Sequence, residues 1–207
     1  MATFSLTTPN AESTQRVGRA LAAELLPGQC VALAGELGAG KTCFVRGMAA
    51  GLGCDVDSVS SPTYTLMQRY RGTALDLVHL DAYRLHHPDE LRDAGFDPTD
   101  VTSVSAVEWP QRAAEALPVS QIHVQFTITG ETDRLIEVTD AHGTLAQRLQ
   151  AALGPRPCPS CKTSVESFAT HWPFCSTRCR EVDLGRWFSG QYQISRPLHE
   201  RDLDEQS

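Results

Sequence analysis

Lysine is almost absent from this sequence: only two of its 18 basic residues are lysine, Lys41 and Lys162. Long apolar runs are also lacking, because no stretch reaches the length that crosses a membrane and the first residues show no apolar export segment. Positive charge is not in excess either, since the formal net charge is −7. The negative net charge excludes a protein that coats nucleic acid along its whole surface. We expect a cytoplasmic protein with no membrane partner.

The seven cysteines are odd in number and unevenly placed. Four of them lie within 22 residues near the C-terminus: Cys158, Cys161, Cys175 and Cys179. The other three, Cys30, Cys43 and Cys54, are scattered through the first quarter of the chain. An odd number of thiols in a chain without an export signal does not fit a secreted disulfide scaffold. The pattern favours a reducing compartment.

The composition changes near residues 154–157, which read Gly-Pro-Arg-Pro. Residues 1–154 have a formal net charge of −7, whereas residues 155–207 carry seven basic and seven acidic side chains. A chain of 207 residues has room for one full domain and a small module. We therefore predict a domain at 1–154, a module at 155–197 and a disordered acidic tail at 198–207.

The first domain alternates segments typical of strands with segments typical of helices. Predicted helices cover residues 10–26, 41–52 and 144–153. Predicted strands cover residues 30–34, 74–80 and 103–107, and an antiparallel hairpin joins 122–128 to 135–138. This alternation indicates an α/β fold with a mostly parallel sheet and an antiparallel edge hairpin.

A glycine-rich segment, Gly35–Thr42, follows the apolar strand at 30–34 and has the pattern G-x-x-x-x-G-K-[ST]. In this pattern backbone N–H groups surround phosphate oxygens, and the lysine neutralises the β- and γ-phosphates. The threonine hydroxyl is a ligand for Mg²⁺. The alternative is a turn that matches by chance, yet one of only two lysines lies where the motif requires it. The fold class is therefore that of a P-loop NTPase, with a nucleotide and Mg²⁺ as expected cofactors.

Two predicted strands are followed by acids, Asp81 and Glu108. The carboxyl ends of parallel strands meet at the ligand crevice, so both acids are candidates for the metal or its waters. Helix capping or a solvated strand end is the alternative for each. Between the strands, residues 60–65 (Ser-Ser-Pro-Thr-Tyr-Thr) indicate either a loop that closes on the γ-phosphate or an ordinary turn.

From about residue 5 to 153 the sequence resembles TsaE, a small bacterial P-loop ATPase family of tRNA threonylcarbamoyladenosine biosynthesis. The matching blocks, in order, are 35–42, 61–66, 79–85, Glu90-Leu91 and 107–110. The resemblance implies a weak ATPase that works with TsaD and TsaB on adenosine 37 of tRNA. The resemblance also implies that the protein acts on tRNA only indirectly, through these partners.

The same resemblance assigns roles to individual residues. Lys41 and Thr42 hold ATP and Mg²⁺, Glu108 is the second acid beside the metal, and Asp81 positions the attacking water. Ser61–Thr65, including Thr63, is the switch-like loop, and Trp109 supports the site. The implied nucleotide-binding residues are Gly35, Glu36, Leu37, Gly38, Ala39, Gly40, Lys41, Thr42 and Cys43, with Asn10 and Arg134 nearby.

The C-terminal cysteines have the spacing Cys158-x₂-Cys161-x₁₃-Cys175-x₃-Cys179, which is typical of a closed four-thiolate Zn²⁺ site. A helix following Cys175 would place Cys175 and Cys179 on one face. About 40 residues bury too little apolar surface to fold unaided, so zinc would supply the folding energy. The alternatives are a redox Cys-x-x-Cys or free thiols. A surface role suits His171 better than ligation.

Residues 155–197 resemble YacG, a small zinc-protein family that binds the GyrB component of DNA gyrase and inhibits the enzyme. The matching residues include Cys158-Pro159-x-Cys161, residues 172–176, Arg178-Cys179, 183–187 and Tyr192-x-Ile194. The resemblance implies four cysteine ligands and DNA gyrase as partner. The candidate contact residues are Arg178, Arg180, Arg186, Trp187 and Phe188. The alternative for the aromatic residues is a small core.

Two other functions are compatible with these sequence features. A P-loop small-molecule kinase with a zinc adaptor would need an acceptor pocket and an arginine-rich lid, which the sequence does not reveal. A nucleic-acid-binding regulator that uses the zinc module would show salt-sensitive duplex binding.

Overall fold

The structure is a computed structural model that describes residues 2–87 and 89–189. The predicted tail at 198–207 and the motif Tyr192-x-Ile194 lie outside the described residues. The chain divides into two compact units, residues 1–154 and 155–207. Over the described ranges, no helix combines the length and the apolarity that crossing a membrane requires.

The first unit is built on one seven-stranded sheet with the order β1-β7-β6-β2-β5-β4-β3. The strands are β1 (Thr3–Thr8), β2 (Cys30–Ala34), β3 (Met67–Tyr70), β4 (Asp76–Asp81), β5 (Ser103–Glu108), β6 (Gln121–Ile128) and β7 (Arg134–Thr139). The four central strands β6, β2, β5 and β4 are parallel neighbours, and antiparallel pairs form at both edges. The predicted α/β class with an edge hairpin is confirmed.

Helices cover the sheet on both faces. They are α1 (Ala11–Ala22), α2 (Lys41–Leu52), α3 (Asp89–Asp93) and α4 (Thr144–Leu153), with 3₁₀ turns at Val56–Ser58, Pro110–Arg112 and Ala114–Ala116. Helix α2 packs on β4 and β5, α4 packs on β1 and β7, and α1 contacts both helices. On the other side, residues of α3 and the last two turns join Val78, Leu80 and Val107 in a buried apolar cluster.

The described part of the second unit, residues 155–189, has little regular structure. Two short antiparallel strands, β8 (Arg156–Pro157) and β9 (Ser164–Val165), frame the first cysteine pair. Helix α5 (Thr177–Phe188) follows the third cysteine and contains no buried residue.

Sequence reasoning missed two edge strands and extended one helix too far. Strand β3 has only four residues and no clear alternation, whereas β1 has six residues in which polar and apolar side chains alternate from Thr3 to Leu6, a signal that could have revealed it. Helix α1 ends at Ala22, not at residue 26, because the next N–H groups bond to carbonyls three residues back: Glu24 to Leu21 and Leu25 to Ala22. This tighter turn breaks the helical repeat that the apolar pattern suggested.

Glycines allow α1 and α2 to approach closely. A Cβ atom on Gly47 of α2 would lie 2.0 Å from the Gln15 carbonyl oxygen, and one on Gly18 of α1 would lie 2.3 Å from the Phe44 carbonyl oxygen. Both obstacles are backbone atoms, so no side-chain movement would relieve them. The helix that begins at the phosphate-loop lysine is therefore held in place by backbone contact with α1.

We predict that Gly47→Ala destabilises the first unit by at least about 1–3 kcal/mol, the usual cost of overpacking. The sign of this change in unfolding free energy is informative, because alanine in an unconstrained helix stabilises a protein by about 1 kcal/mol relative to glycine. Denaturant unfolding followed by circular dichroism measures the change. Gly185→Ala in α5, where a Cβ would meet no described residue within 4 Å, is the control and should not lower stability. A Gly47→Ala protein as stable as the parent would contradict the close-packing argument.

Candidate nucleotide site and candidate metal centre

The carboxyl ends of three adjacent parallel strands carry the candidate nucleotide site. The strand order places β5 between β2 and β4. Glu108 at the end of β5 lies opposite Asp81 on β4 and Leu33 on β2. The glycine-rich loop follows β2 directly and leads into α2 at Lys41. Parallel register thus brings the loop and both predicted acids together.

The glycine-rich loop takes backbone conformations that need glycine. Gly40, the residue before α2, has a φ of 100°, in the left-handed region that side chains rarely adopt. A Cβ on Gly35 would lie 2.8 Å from the Phe126 carbonyl oxygen. Arg134 ties this loop to the β6–β7 turn: its guanidinium donates to the Gly38 carbonyl at 3.2 Å and to the Asp133 carbonyl at 2.9 Å.

Lys41 is a buried cation that points into the loop. The residue is only 4% exposed, and its Nζ donates to the carbonyl oxygens of Gly35 and Glu36, both at 2.8 Å. Nζ also lies 4.0 Å from the centre of the Trp109 ring. Burial lowers the pKa of Lys41, and the charges of Glu108 and Asp81 act in the opposite direction. A phosphate at this position would favour the charged ammonium further.

Glu108 joins two elements through one carboxylate oxygen. Its Oε1 accepts a hydrogen bond from Thr42 Oγ1 at 2.7 Å and lies 2.9 Å from His79 Nε2. Thr42 is in the first turn of α2, and His79 is two residues before the end of β4. The residue Glu108 is only 3% exposed, so its charge depends on these donors and on the nearby Lys41.

Asp81 belongs to a separate set of hydrogen bonds. Its Oδ2 accepts from Ser61 Oγ at 2.7 Å and from Thr63 Oγ1 at 2.5 Å, and its Oδ1 accepts from the Tyr83 N–H at 3.0 Å. The hydroxyl-rich loop at 60–65 is thereby anchored to the end of β4. The predicted water-positioning acid and the predicted switch-like loop are therefore in direct contact.

An open cavity connects these groups. It is lined by Leu37, Gly38, Gly40, Lys41, Thr42, Cys43, Ser61, Thr63, Asp81, Tyr83, Glu108 and Trp109. The set combines backbone N–H groups at a helix N-terminus, one cation, several hydroxyls, including that of Thr42, and two carboxylates. These are the groups that bind a polyphosphate and a hard divalent cation. The residues present thus fit a nucleotide with Mg²⁺: Lys41 and the loop backbone would hold phosphate, and Thr42 with Glu108 would hold the metal.

Two of the residues around this cavity were not assigned a role by sequence reasoning. The Tyr83 ring packs against Trp109, with ring centres 5.1 Å apart and ring planes tilted by 50°, and His79 contacts Glu108. Strand periodicity could have indicated His79, because residues two apart on a strand share a face and Asp81 is two residues away. The sequence carries no comparable signal for Tyr83.

The cysteine cluster has the geometry of a metal centre. The Sγ atoms of Cys158, Cys161, Cys175 and Cys179 all lie within 4.8 Å of one another. Two of these separations are 3.3 Å (Cys161 to Cys175) and 3.5 Å (Cys175 to Cys179). Four thiolates around Zn²⁺ at about 2.3 Å lie roughly 3.8 Å apart. The cluster therefore fits tetrahedral zinc.

The backbone around the cluster forms a knuckle and a helix start. The Cys158 N–H donates to the Thr163 carbonyl at 2.7 Å, and the Lys162 N–H donates to the Cys158 carbonyl at 2.9 Å. Cys175 precedes Ser176, the N-cap of α5, so it is outside the helix. The expectation that a shared helix face brings Cys175 and Cys179 together was wrong in its cause, although the two sulfurs do meet.

The crowded thiols have divergent acidities. Hydrogen bonding to Thr163 lowers the pKa of Cys161 to about 6. Hydrogen bonds with the neighbouring Cys161 and Cys179 thiols raise the pKa of Cys175 to about 12. Sulfurs this close cannot all ionise unless a cation shares their charge. This set of donors is therefore suited to a bound divalent metal.

Comparison with known proteins agrees with this arrangement. Residues 8–136 match the family model of the threonylcarbamoyl adenosine biosynthesis protein TsaE. The chain belongs to the TsaE family. The TsaE protein of Bacillus subtilis is 38% identical over 133 residues, which are 64% of this chain and 82% of that protein. The TsaE protein of Treponema pallidum is 38% identical over 62% of this chain and 95% of its own length.

A solved structure shows the same fold. The crystal structure of Bacillus subtilis YdiB superposes with a TM-score of 0.58 at 28% identity, over 72% of this chain and 95% of that one. Residues 156–205 match a different family model, the DNA gyrase inhibitor YacG. The chain therefore carries a YacG module C-terminal to its TsaE domain in the sequence. The predicted resemblance to both families is confirmed.

Of the predicted nucleotide-binding residues Asn10, Cys43 and Arg134, only Cys43 lines the cavity. The Asn10 side chain accepts from the Ser13 N–H at 2.8 Å and caps α1, which is a structural role. Cys43 lines the cavity, and its Sγ lies 3.3 Å from the Ala11 carbonyl oxygen. Arg134 contacts the backbone of the glycine-rich loop. A direct contact of Asn10, Cys43 or Arg134 with nucleotide stays a prediction.

We predict that the purified chain binds one zinc ion and that Cys158→Ser loses it. The variant should also lose the helical circular dichroism signal that α5 of the second unit contributes. Metal analysis by atomic emission measures the zinc content. Cys54→Ser in the TsaE domain is the matched control, because Cys54 lies outside the cluster, and it should retain the full zinc content. Equal zinc in the parent and the Cys158→Ser protein would contradict a four-cysteine centre.

Proposed function

We propose that the TsaE domain binds Mg²⁺ and ATP at the edge of its sheet and hydrolyses ATP slowly. Membership in the TsaE family supports a role in tRNA threonylcarbamoyladenosine biosynthesis. In this proposal the domain acts with TsaB and TsaD in modifying adenosine 37, and it works in the cytoplasm. The observation that carries the proposal is the convergence of Lys41, the Thr42–Glu108 pair and the Asp81 cluster on one cavity.

The residues divide into binding and reacting groups. Lys41 and the N-terminal N–H groups of α2 bind and orient the phosphates, and their positive character offsets charge that develops on phosphate oxygens. Bound Mg²⁺ would add further charge neutralisation between Thr42 and Glu108. Asp81 is the candidate for orienting the attacking water, since it is the other carboxylate lining the cavity.

The hydrogen bonds of Asp81 suggest why hydrolysis by the isolated chain would be slow. Both of its oxygens are already engaged, by Ser61, Thr63 and the Tyr83 N–H. A carboxylate held in this way has reduced capacity to orient a water. Movement of the loop at 60–65 would release it, and a partner protein that contacts this loop would then accelerate hydrolysis.

We expect Lys41→Ala and Asp81→Asn to fail at different steps. Lys41→Ala removes the buried cation and should weaken ATP binding by on the order of tenfold or more, because charge-assisted contacts to phosphate are lost. Asp81→Asn should bind ATP normally and lose hydrolysis. Both should abolish modification when combined with TsaB, TsaD and tRNA. Calorimetric ATP titration and a tRNA modification assay separate the two effects.

Lys162→Asn is the control for this prediction, since it removes the other lysine of the chain and asparagine tolerates the positive φ of 67° at that position. It should leave both measurements unchanged. Full modification by the Lys41→Ala protein would refute the proposed role of the nucleotide site. Phosphate transfer from ATP to a small-molecule acceptor would instead support a kinase.

For the YacG module, we propose binding to the GyrB component of DNA gyrase and inhibition of the enzyme. The module matches the gyrase inhibitor family, and α5 presents a surface suited to a protein partner. Trp187 and Phe188 are 62% and 78% exposed, and their rings contact each other at 5.3 Å. Exposed aromatic residues beside arginines, here Arg180 and Arg186, are typical of interface contacts that dominate affinity.

We predict that Trp187→Ala in the full chain weakens binding to purified GyrB by at least about tenfold, the effect of losing an interface hot spot. Because Trp187 is exposed, the variant should keep its zinc and its stability. Biolayer interferometry measures the affinity. Tyr64→Ala, which removes an exposed aromatic residue from the TsaE domain, is the control. Unchanged affinity of the Trp187→Ala protein would exclude this face as the contact.

A further inference from the structure

His79 is a buried polar residue to which the proposed function gives no role. It lies on β4 with a relative exposure of 0%, two residues before Asp81 and on the same face of the sheet. Its Nε2 is 2.9 Å from Glu108 Oε1. Its Nδ1 is buried and has no hydrogen-bond partner among the residues that the structure describes.

These contacts identify the tautomer of the ring. An ionised carboxylate oxygen only accepts hydrogen bonds, so His79 must donate from Nε2. A proton on Nδ1 as well would leave a buried N–H without an acceptor, which is costly. The geometry therefore places a proton on Nε2, directed at Glu108. The Tyr70 ring lies beside the imidazole, with ring centres 6.4 Å apart.

The Tyr70 ring is itself held in place. Its Oη donates to the Ser60 carbonyl oxygen at 3.2 Å and lies 3.4 Å from the Ser60 nitrogen. The imidazole is thus confined between Tyr70 and Glu108, inside a strand that pairs on both sides. A donor confined in this way fixes the direction of the carboxylate that it contacts.

We propose that His79 is the positioning residue for Glu108. It holds the carboxylate toward Thr42, so that the Glu108 carboxylate and the Thr42 hydroxyl oxygen face a divalent cation together. The inference rests on the proposed Mg²⁺-nucleotide site. Residues that orient a metal-side carboxylate from behind commonly change metal affinity by roughly tenfold to a hundredfold when replaced. His79 should therefore control the Mg²⁺ dependence of nucleotide binding, not the contact of Lys41 with phosphate.

The test compares the full chain with His79→Leu, which fills the space without a donor, and with His79→Gln, which returns an N–H near the position of Nε2. Binding of a non-hydrolysable ATP analogue is titrated with Mg²⁺ and, separately, in EDTA. We expect His79→Leu to raise the Mg²⁺ concentration for half-saturation by roughly tenfold or more and to leave binding in EDTA unchanged. His79→Gln should restore the Mg²⁺ dependence.

Nitrogen NMR of the wild-type imidazole provides a readout that needs no variant. We expect Nε2 to carry a proton, both in the free chain and with the Mg²⁺-bound analogue. The Nδ1-protonated form would overturn the inference, as would a His79→Leu protein with the Mg²⁺ dependence of the wild type. If His79→Leu does not fold, His79→Met replaces it in the titration, and the NMR result decides alone if neither folds. A wild-type chain that binds no analogue at all would refute the proposed function instead.

Discussion

The constraint on which the nucleotide end of the sheet depends is the burial of one ammonium group. An isolated buried cation is costly unless oxygen atoms surround it. Lys41 meets this requirement with two backbone carbonyls and the face of Trp109, and it can do so only because the glycine-rich loop folds back over the start of α2. The position of α2 depends in turn on backbone contact with α1 through glycines. Packing between α1 and α2 thus determines where the charge lies.

The two carboxylates are neighbours in register, yet each has its own hydrogen-bond partners. Glu108 contacts Thr42 and His79, whereas Asp81 contacts Ser61, Thr63 and the backbone of Tyr83. This separation allows the groups to have different tasks. The Glu108 set joins a helix to two strands and suits a metal that must be held still, while the Asp81 set includes the loop at 60–65.

Much of this site could be predicted from the sequence because its strongest signals are local. The loop at 35–42 and the acids after two apolar runs required only strand ends and a motif, and the central strands and α2 followed from apolar patterning. The edge strand β3 was missed because it has four residues and no alternation, whereas the alternation in β1 was a usable signal that the prediction did not take up. The contact of His79 with Glu108 depends on cross-strand register, and the paired hydroxyls on Asp81 depend on the path of a loop; neither is encoded in spacing along the chain.

The two units are stabilised in different ways, and this difference determines which side chains each unit leaves exposed to a partner protein. The TsaE domain has a large buried core, so its exposed aromatic residues are few relative to its size. In the described part of the YacG module, no residue of α5 is fully buried. The N-cap at Ser176 and the cysteine at position 179 fix its first turn. A helix anchored at one end by thiolates leaves its apolar side chains uncovered, and those side chains are then free to bury surface against another protein.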